Sequence, residues 1–309
     1  MPIIEVEGLA KSYGDHVALR DVTFSVEEGE IFGILGRNGA GKTTTVECLE
    51  GLRQADSGRI SVLGMDPSEQ SSELRGQLGV QLQESALPDN MKVWEALDLY
   101  SSFHKHPADW NSLLDEWGLA EKRGARFGKL SGGQKQRLFI ALALVGNPRV
   151  AILDELTTGL DPQARRDTWQ LVERIRDKGV TVLLVTHFMD EAERLCDRVA
   201  VFHDGRVAAV DSPGAIVAGR GSGQRVSFTP SEPVGDDELL GLPDVTGVER
   251  KGELITVSGT GDLLQVVTTA LARKEVVPKG LQVHQAGLED AFLALTGAAT
   301  TDETEESAR

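Results

Sequence analysis

Apolar residues alternate with polar ones at the start of the chain, at Ile4/Val6, Val17/Leu19 and Val22/Phe24/Val26. A period of two interrupted by turns predicts an antiparallel β layer over residues 1–26. The turn Glu27-Glu28-Gly29 leads into Ile31-Phe32-Gly33-Ile34-Leu35, an unbroken apolar run of the kind found in buried strands. Helical spacing follows over residues 43–52, then strands over 58–63 and 78–83, with Gln83 at the end of the second. Residues 93–118 carry Val93/Trp94/Leu97/Tyr100 and Trp110/Leu113/Leu114/Trp117 at helical spacing; these tryptophans suit core packing, with an exposed subset suited to a partner. An apolar helix is expected over 138–145. Residues 149–155 read as a buried parallel strand and 180–186 as a further buried strand, joined by a helix that Asp161 caps, Pro162 starts and residue 178 ends. Asp204-Gly205 marks a hairpin within 197–210. Beyond the small-residue hinge Gly219-Arg220-Gly221-Ser222-Gly223, strands near 225–228, 247–249, 254–258 and 281–284 and helices over 262–274 and 288–295 predict an accessory α+β domain, residues 221–299. Residues 300–309, rich in Thr, Asp and Glu, are expected to be disordered.

Composition narrows the class. The 309 residues suffice for about two domains. The longest apolar run, residues 139–146, is cut by Asn147-Pro148 and falls short of the roughly 18–20 residues of a membrane span. The N-terminus lacks the basic and apolar regions of a secretory signal, so a cytoplasmic setting is expected. A formal net charge of −16 argues against a nucleic-acid surface. Cys48 and Cys196 have no patterned Cys or His beside them and are expected to be buried small apolar residues.

The chemistry centres on Gly36-Arg37-Asn38-Gly39-Ala40-Gly41-Lys42-Thr43-Thr44, which fits G-x-x-x-x-G-K-[ST] between a strand and a helix, as a phosphate-binding loop requires. Its backbone N–H groups and the helix N-terminus suit phosphate oxygens. Lys42 can reach the β- and γ-phosphates of a nucleoside triphosphate, and the Thr43 hydroxyl can ligate Mg²⁺. A plain Gly-rich turn with an exposed lysine is disfavoured by these flanks. Ser131-Gly132-Gly133-Gln134 offers a second anion-binding helix start, with Ser131 as N-cap. Asp154 and Glu155 end an apolar strand, where ligand chemistry sits in open α/β sheets. Asp154 can hold Mg²⁺, and Glu155 can orient or deprotonate water. His187 ends the next strand at the same edge. Tyr13 is either a base-stacking ring or a packed edge-strand tyrosine, and Gln83 taken alone reads as a solvated loop residue.

Taken in order, Tyr13, the loop 36–44, Gln83, Leu130-Ser131-Gly132-Gly133-Gln134, Ile152-Leu153-Asp154-Glu155, Gly159-Leu160-Asp161 and His187 resemble the ATP-binding subunit of ABC transporters over residues 2–220. They are most similar to the subclass serving separately encoded membrane subunits in drug, antibiotic and polysaccharide export, of the daunorubicin-resistance type. The stretch from Leu288 to Gly297 is similar to the end of those proteins. The resemblance implies an α/β P-loop fold with a mixed central sheet, an antiparallel β subdomain, a helical subdomain over about 84–146 and the small C-terminal domain. It implies Tyr13 on adenine and Asn38 to Thr44 on phosphates and Mg²⁺. Gln83 would touch Mg²⁺ or water and sense the membrane partner, Glu155 would be the catalytic carboxylate and His187 would hold the γ-phosphate. Ser131, Gly132, Gly133, Gln134 and Asp161 would complete the ATP site of a second copy facing the first. It further implies ATP hydrolysis at the cytoplasmic side of the membrane, with integral permease subunits as partners. One departure is Leu156, where the family usually has proline. An ABC-type ATPase acting on a non-transport macromolecule is the alternative, disfavoured by the single nucleotide domain and the acidic charge; a regulatory module without turnover is disfavoured by the presence of Glu155 and His187.

Overall fold

The alternating positions at the start of the chain form two long strands, β1 (Pro2–Tyr13) and β2 (His16–Glu27), paired antiparallel. The computed structural model describes residues 2–69, 71–81, 86–219, 223–285 and 287–296; Gln83 and residues 300–309 lie outside that range. β3 (Ile31–Leu35) is fully buried and leads through the glycine-rich loop into α1 (Lys42–Leu49). β4 (Ser57–Val62), α2 (Ser72–Gln77) and β5 (Leu78–Gln81) follow. Residues 93–118 are not one helical stretch but two short helices, α3 (Val93–Ser101) and α4 (Trp110–Glu116). Pro107 disfavours helix at the residue before it, and Asp109 starts α4 afresh by accepting from Asn111 N. Trp117 is buried, while Trp94 and Trp110 are half-buried beneath Lys92 and Arg123.

α5 (Gly132–Leu144) leads into β6 (Val150–Asp154), α6 (Pro162–Asp177) and β7 (Thr181–Thr186). α7 (Met189–Leu195), which the apolar pattern does not single out, precedes the hairpin β8 (Arg198–His203) and β9 (Arg206–Asp211). Asp204 and Gly205 both have positive φ, 47° and 72°, the requirement of a tight two-residue hairpin turn. α8 (Pro213–Gly219) comes next. The nine strands form one sheet, ordered β4-β1-β2-β9-β8-β3-β7-β6-β5. Its antiparallel part is therefore continuous with the rest, joined where β2 meets β9 at Asp21 and Arg206. Both cysteines are buried and unbridged.

The central pairs β5·β6, β6·β7 and β3·β7 are parallel. Their register sets Asp154 beside Val185 and Leu35 beside Thr186. Three strands thus end at one level, and the loops after them share one edge. This is where ligands bind in open α/β sheets.

The chain divides into two compact units after Pro213, one short helix earlier than the small-residue hinge marks. The second unit contains β10 (Gln224–Pro230), α9 (Asp236–Leu240), β11 (Val245–Lys251), β12 (Leu254–Gly259), α10 (Leu263–Arg273), β13 (Pro278–Gln285) and α11 (Leu288–Thr296). Its sheet is antiparallel throughout, ordered β11-β12-β10-β13. Val226, Phe228, Ile255 and Val257 pack with Leu263, Val267 and Leu271 of α10 in a core of their own.

Candidate nucleotide site

The loop between β3 and α1 owes its shape to two glycines. A Cβ at Gly36 would lie 2.7 Å from the Phe202 carbonyl of neighbouring β8, so a side chain there would push the strands apart. Gly41, the N-cap of α1, has φ +102° and offers no side-chain cap. The first N–H groups of a helix have no intrahelical acceptor, so the end of α1 presents donors and a positive dipole to the loop. Lys42 is buried, and its Nζ donates to the carbonyls of Gly36 (2.7 Å) and Arg37 (3.1 Å). The Arg37 carbonyl also accepts from Ala40 N.

A cavity of about 300 Å³ opens over this loop, lined by Tyr13, Asn38, Gly39, Lys42, Thr43 and Glu155 among others. Gly41, Thr44 and Asp154 lie on its wall too, so the strand-end acids and the loop share one space. Tyr13 is 39% exposed, with the Arg53 guanidinium 4.9 Å and the Lys11 ammonium 5.8 Å from its ring centroid. Sequence reading overlooked His16 and Ala18, which also line the cavity. The pairing of Tyr13 with His16 across the first hairpin is the signal that finds His16.

The two acids differ in placement. Asp154 is buried, and burial, followed by repulsion from Glu155, pushes its carboxyl up to about 6 against the opposing pull of Lys42. Burial likewise lowers the Lys42 pKa, while Glu155 and Asp154 oppose that shift. Crowded carboxylates with one buried ammonium, beside the exposed Thr43 hydroxyl, form a hard oxygen donor set that a divalent cation suits. Glu155 sits at φ +47°, an uncommon backbone for a side-chain-bearing residue. A proline at 156 would push residue 155 toward extended geometry, and Leu156 imposes no such restriction. Glu155 N donates to the Val185 carbonyl at 2.9 Å. Its side chain reaches His187, with Nδ1 3.0 Å from Oε1. Phe188 lies against the His187 ring at 4.1 Å between centroids, and the Arg165 guanidinium lies 4.5 Å from the Phe188 ring centroid.

Ser131 and Gln134 form a reciprocal cap at the start of α5: Ser131 N donates to Gln134 Oε1 (3.0 Å) and Gln134 N to Ser131 Oγ (3.3 Å). This segment does not line the cavity around Lys42. It faces the start of α6 instead, where Cβ atoms at Gly132 and Gly133 would meet Leu160 and Ala164. Asp161 caps α6 by accepting from Gln163 N and Ala164 N, both at 3.0 Å, and is likewise absent from the cavity wall. Among the described residues, the sequence-predicted ones thus fall into two groups: one around Lys42, the other at the starts of α5 and α6.

The ABC transporter family pattern matches residues 19–158. The Nod factor export ATP-binding protein I of a Rhizobium species is 38% identical over 303 residues, covering 95% of this chain and 97% of that protein. Its namesake from Ralstonia nicotianae is 36% identical over 307 residues, covering 96% and 94%. Among solved structures, an ATP binding subunit of an ABC transporter superposes with a TM-score of 0.64 at 31% identity, over 70% of this chain and 92% of that one. The dimeric structure of a bacterial ABC transporter cassette does so with a TM-score of 0.60 at 25% identity, over 68% and 98%. Among the described residues no helix is long and apolar enough to cross a membrane. With its loop, strand-end acids and cap segment disposed on this fold, the chain belongs to the ABC transporter ATP-binding subunits and is an ATPase of that family.

Proposed function

We propose that this protein is the ATP-hydrolysing subunit of an ABC exporter, driving separately encoded membrane subunits that carry a drug, antibiotic, lipid or polysaccharide. The names of its relatives, which are export ATP-binding proteins, support the direction. The observation that carries the reading is the 3.0 Å contact of His187 with Glu155, which lines the Lys42 cavity, with the Ser131 segment outside that cavity.

In this reading Tyr13 stacks on adenine, and the backbone from Gly36 to Thr44 holds the phosphates. Lys42 exchanges the Gly36 and Arg37 carbonyls for β- and γ-phosphate oxygens. Thr43 and Asp154 would hold Mg²⁺, as would Gln83, which lies outside the described residues. When bound, Mg²⁺ neutralises the charge shared by the phosphate oxygens. Glu155 orients the attacking water and accepts its proton, while His187 fixes the Glu155 carboxylate and faces the γ-phosphate. Ser131 to Gln134 and Asp161 act on the nucleotide of a second copy, which explains why they do not line the cavity of their own. ATP then joins two half-sites, and loss of the γ-phosphate contacts separates them, which biases a membrane partner between two states. The protein would sit at the cytoplasmic face of the membrane through those subunits.

The test is Glu155→Gln in the full chain with Mg²⁺-ATP. Phosphate release should fall at least about 100-fold, ATP should remain bound and an ATP-loaded dimer should accumulate on size exclusion. Turnover at the wild-type rate would remove Glu155 from its role. Copurification of that variant with a multispanning protein from solubilised membranes tests the exporter assignment; association with ribosomes or DNA instead would refute it.

A further inference from the structure

Glu191, in the first turn of α7, is fully buried, a placement that needs a reason in a charged side chain. Its Oε1 accepts from the Trp169 indole N–H of α6 at 3.0 Å. The Thr157 and Thr186 hydroxyls face the same carboxyl and favour its charged form, against the larger opposing effect of burial. Thr157 Oγ1 and Glu191 Oε2 are both buried, and the Thr157 hydroxyl acts on the Glu191 carboxyl. The positions of these threonines matter. Thr157 lies two residues after Glu155, and Thr186 immediately precedes His187. Thr157 also opens the turn to Asp161, through the Leu160 N to Thr157 O hydrogen bond of 3.2 Å. The contacts of Arg165 with Asp190 (3.2 Å) and with the Phe188 ring tie α6 to α7 a second time.

From this geometry we infer that Glu191 is a positioning residue that locks the Glu155 loop to the His187 loop. This rests on the roles of Glu155 and His187 proposed above. Glu191 does not line the cavity around Lys42; it sets the register of Glu155 and His187. A displacement of about 1 Å between catalytic groups costs on the order of 100-fold in rate, so a brace at this point has leverage on turnover and little on nucleotide affinity.

The experiment measures single-turnover and steady-state ATP hydrolysis, nucleotide affinity and thermal midpoint for Glu191→Ala, Glu191→Gln, Thr157→Val, His187→Ala and the doubles with His187→Ala. Glu191→Ala should lower kcat at least about tenfold with KM and ATP affinity within about twofold of wild type. Glu191→Gln, which keeps an acceptor for Trp169 and a donor for Thr157, should recover most of that loss. In the His187→Ala background the Glu191→Ala and Thr157→Val losses should largely disappear. Undiminished losses in that background, or an unchanged kcat in Glu191→Ala, would overturn the inference. Should Glu191→Ala fail to fold, Thr157→Val decides alone: wild-type kcat overturns the proposal, and a kcat loss absent from the double supports it. His187→Ala by itself reports on the underlying reading, since a fully active single variant removes the role of His187.

Discussion

Glu50 follows the last residue of α1, is 9% exposed, and has neither carboxyl oxygen hydrogen-bonded. It lines a cavity of about 170 Å³ with Leu52, Pro67 and Leu74. Burial, then repulsion from Asp154 and Glu47, pushes its carboxyl from the ordinary 4.5 up to about 8. Between those values the folded chain keeps a proton that the unfolded chain releases. Stability attributable to this group therefore falls as pH rises from about 4.5 to about 8 and levels off above that. A shift from 4.5 to about 8 corresponds to a ceiling of about 5 kcal/mol. Glu50→Gln removes the titration while keeping the shape. At pH 5 the variant and the parent should unfold at about the same temperature. At pH 9 the variant should be more stable, by about 10 °C at the low end of the roughly 2–4 °C per kcal/mol of a unit this size. Thermal midpoints of both proteins at half-unit pH steps, taken as differences, cancel every other titration. A difference that stays constant from pH 5 to pH 9, or a variant less stable at pH 9, would refute the reasoning.

Other consequences can be measured alongside. Lys42→Ala removes the ammonium that the loop carbonyls hold, and calorimetry should show ATP affinity falling at least tenfold, the scale of a lost charge-assisted contact of about 1.5–3 kcal/mol. Asp154, pushed up to about 6, must lose its proton to hold Mg²⁺, so the Mg²⁺ needed for half-maximal nucleotide binding should rise as pH falls from 7 to 5; Asp154→Asn should abolish that slope, and a slope that survives in it would count against the assignment. Ser131→Arg places a large cation on a segment outside the cavity, so ATP binding by calorimetry should persist while ATP-driven dimerisation and phosphate release are lost; a variant that hydrolyses normally would show that the facing copy does not use this segment.

The sequence alone determined the parts whose shape depends on a few neighbouring residues. The loop from Gly36 to Thr44 follows from glycines and a helix start, the Ser131 and Asp161 caps from local hydrogen bonding, and the strands from apolar runs. Those signals were also enough to reveal the family. Pro107 shows the limit of periodicity, because a helical spacing continues through a residue that breaks the helix. The tertiary structure alone decided which strand ends meet. Parallel registry of β3, β6 and β7 brings Lys42, Asp154, Glu155 and His187 to one edge, although they span residues 42 to 187. It also decided that Lys42 turns to its own loop carbonyls, that Glu155 takes φ +47°, and that Glu50 and Glu191 are buried. The reason is that composition marks a glutamate as solvent-facing, and only the packing of distant segments around it reverses that expectation.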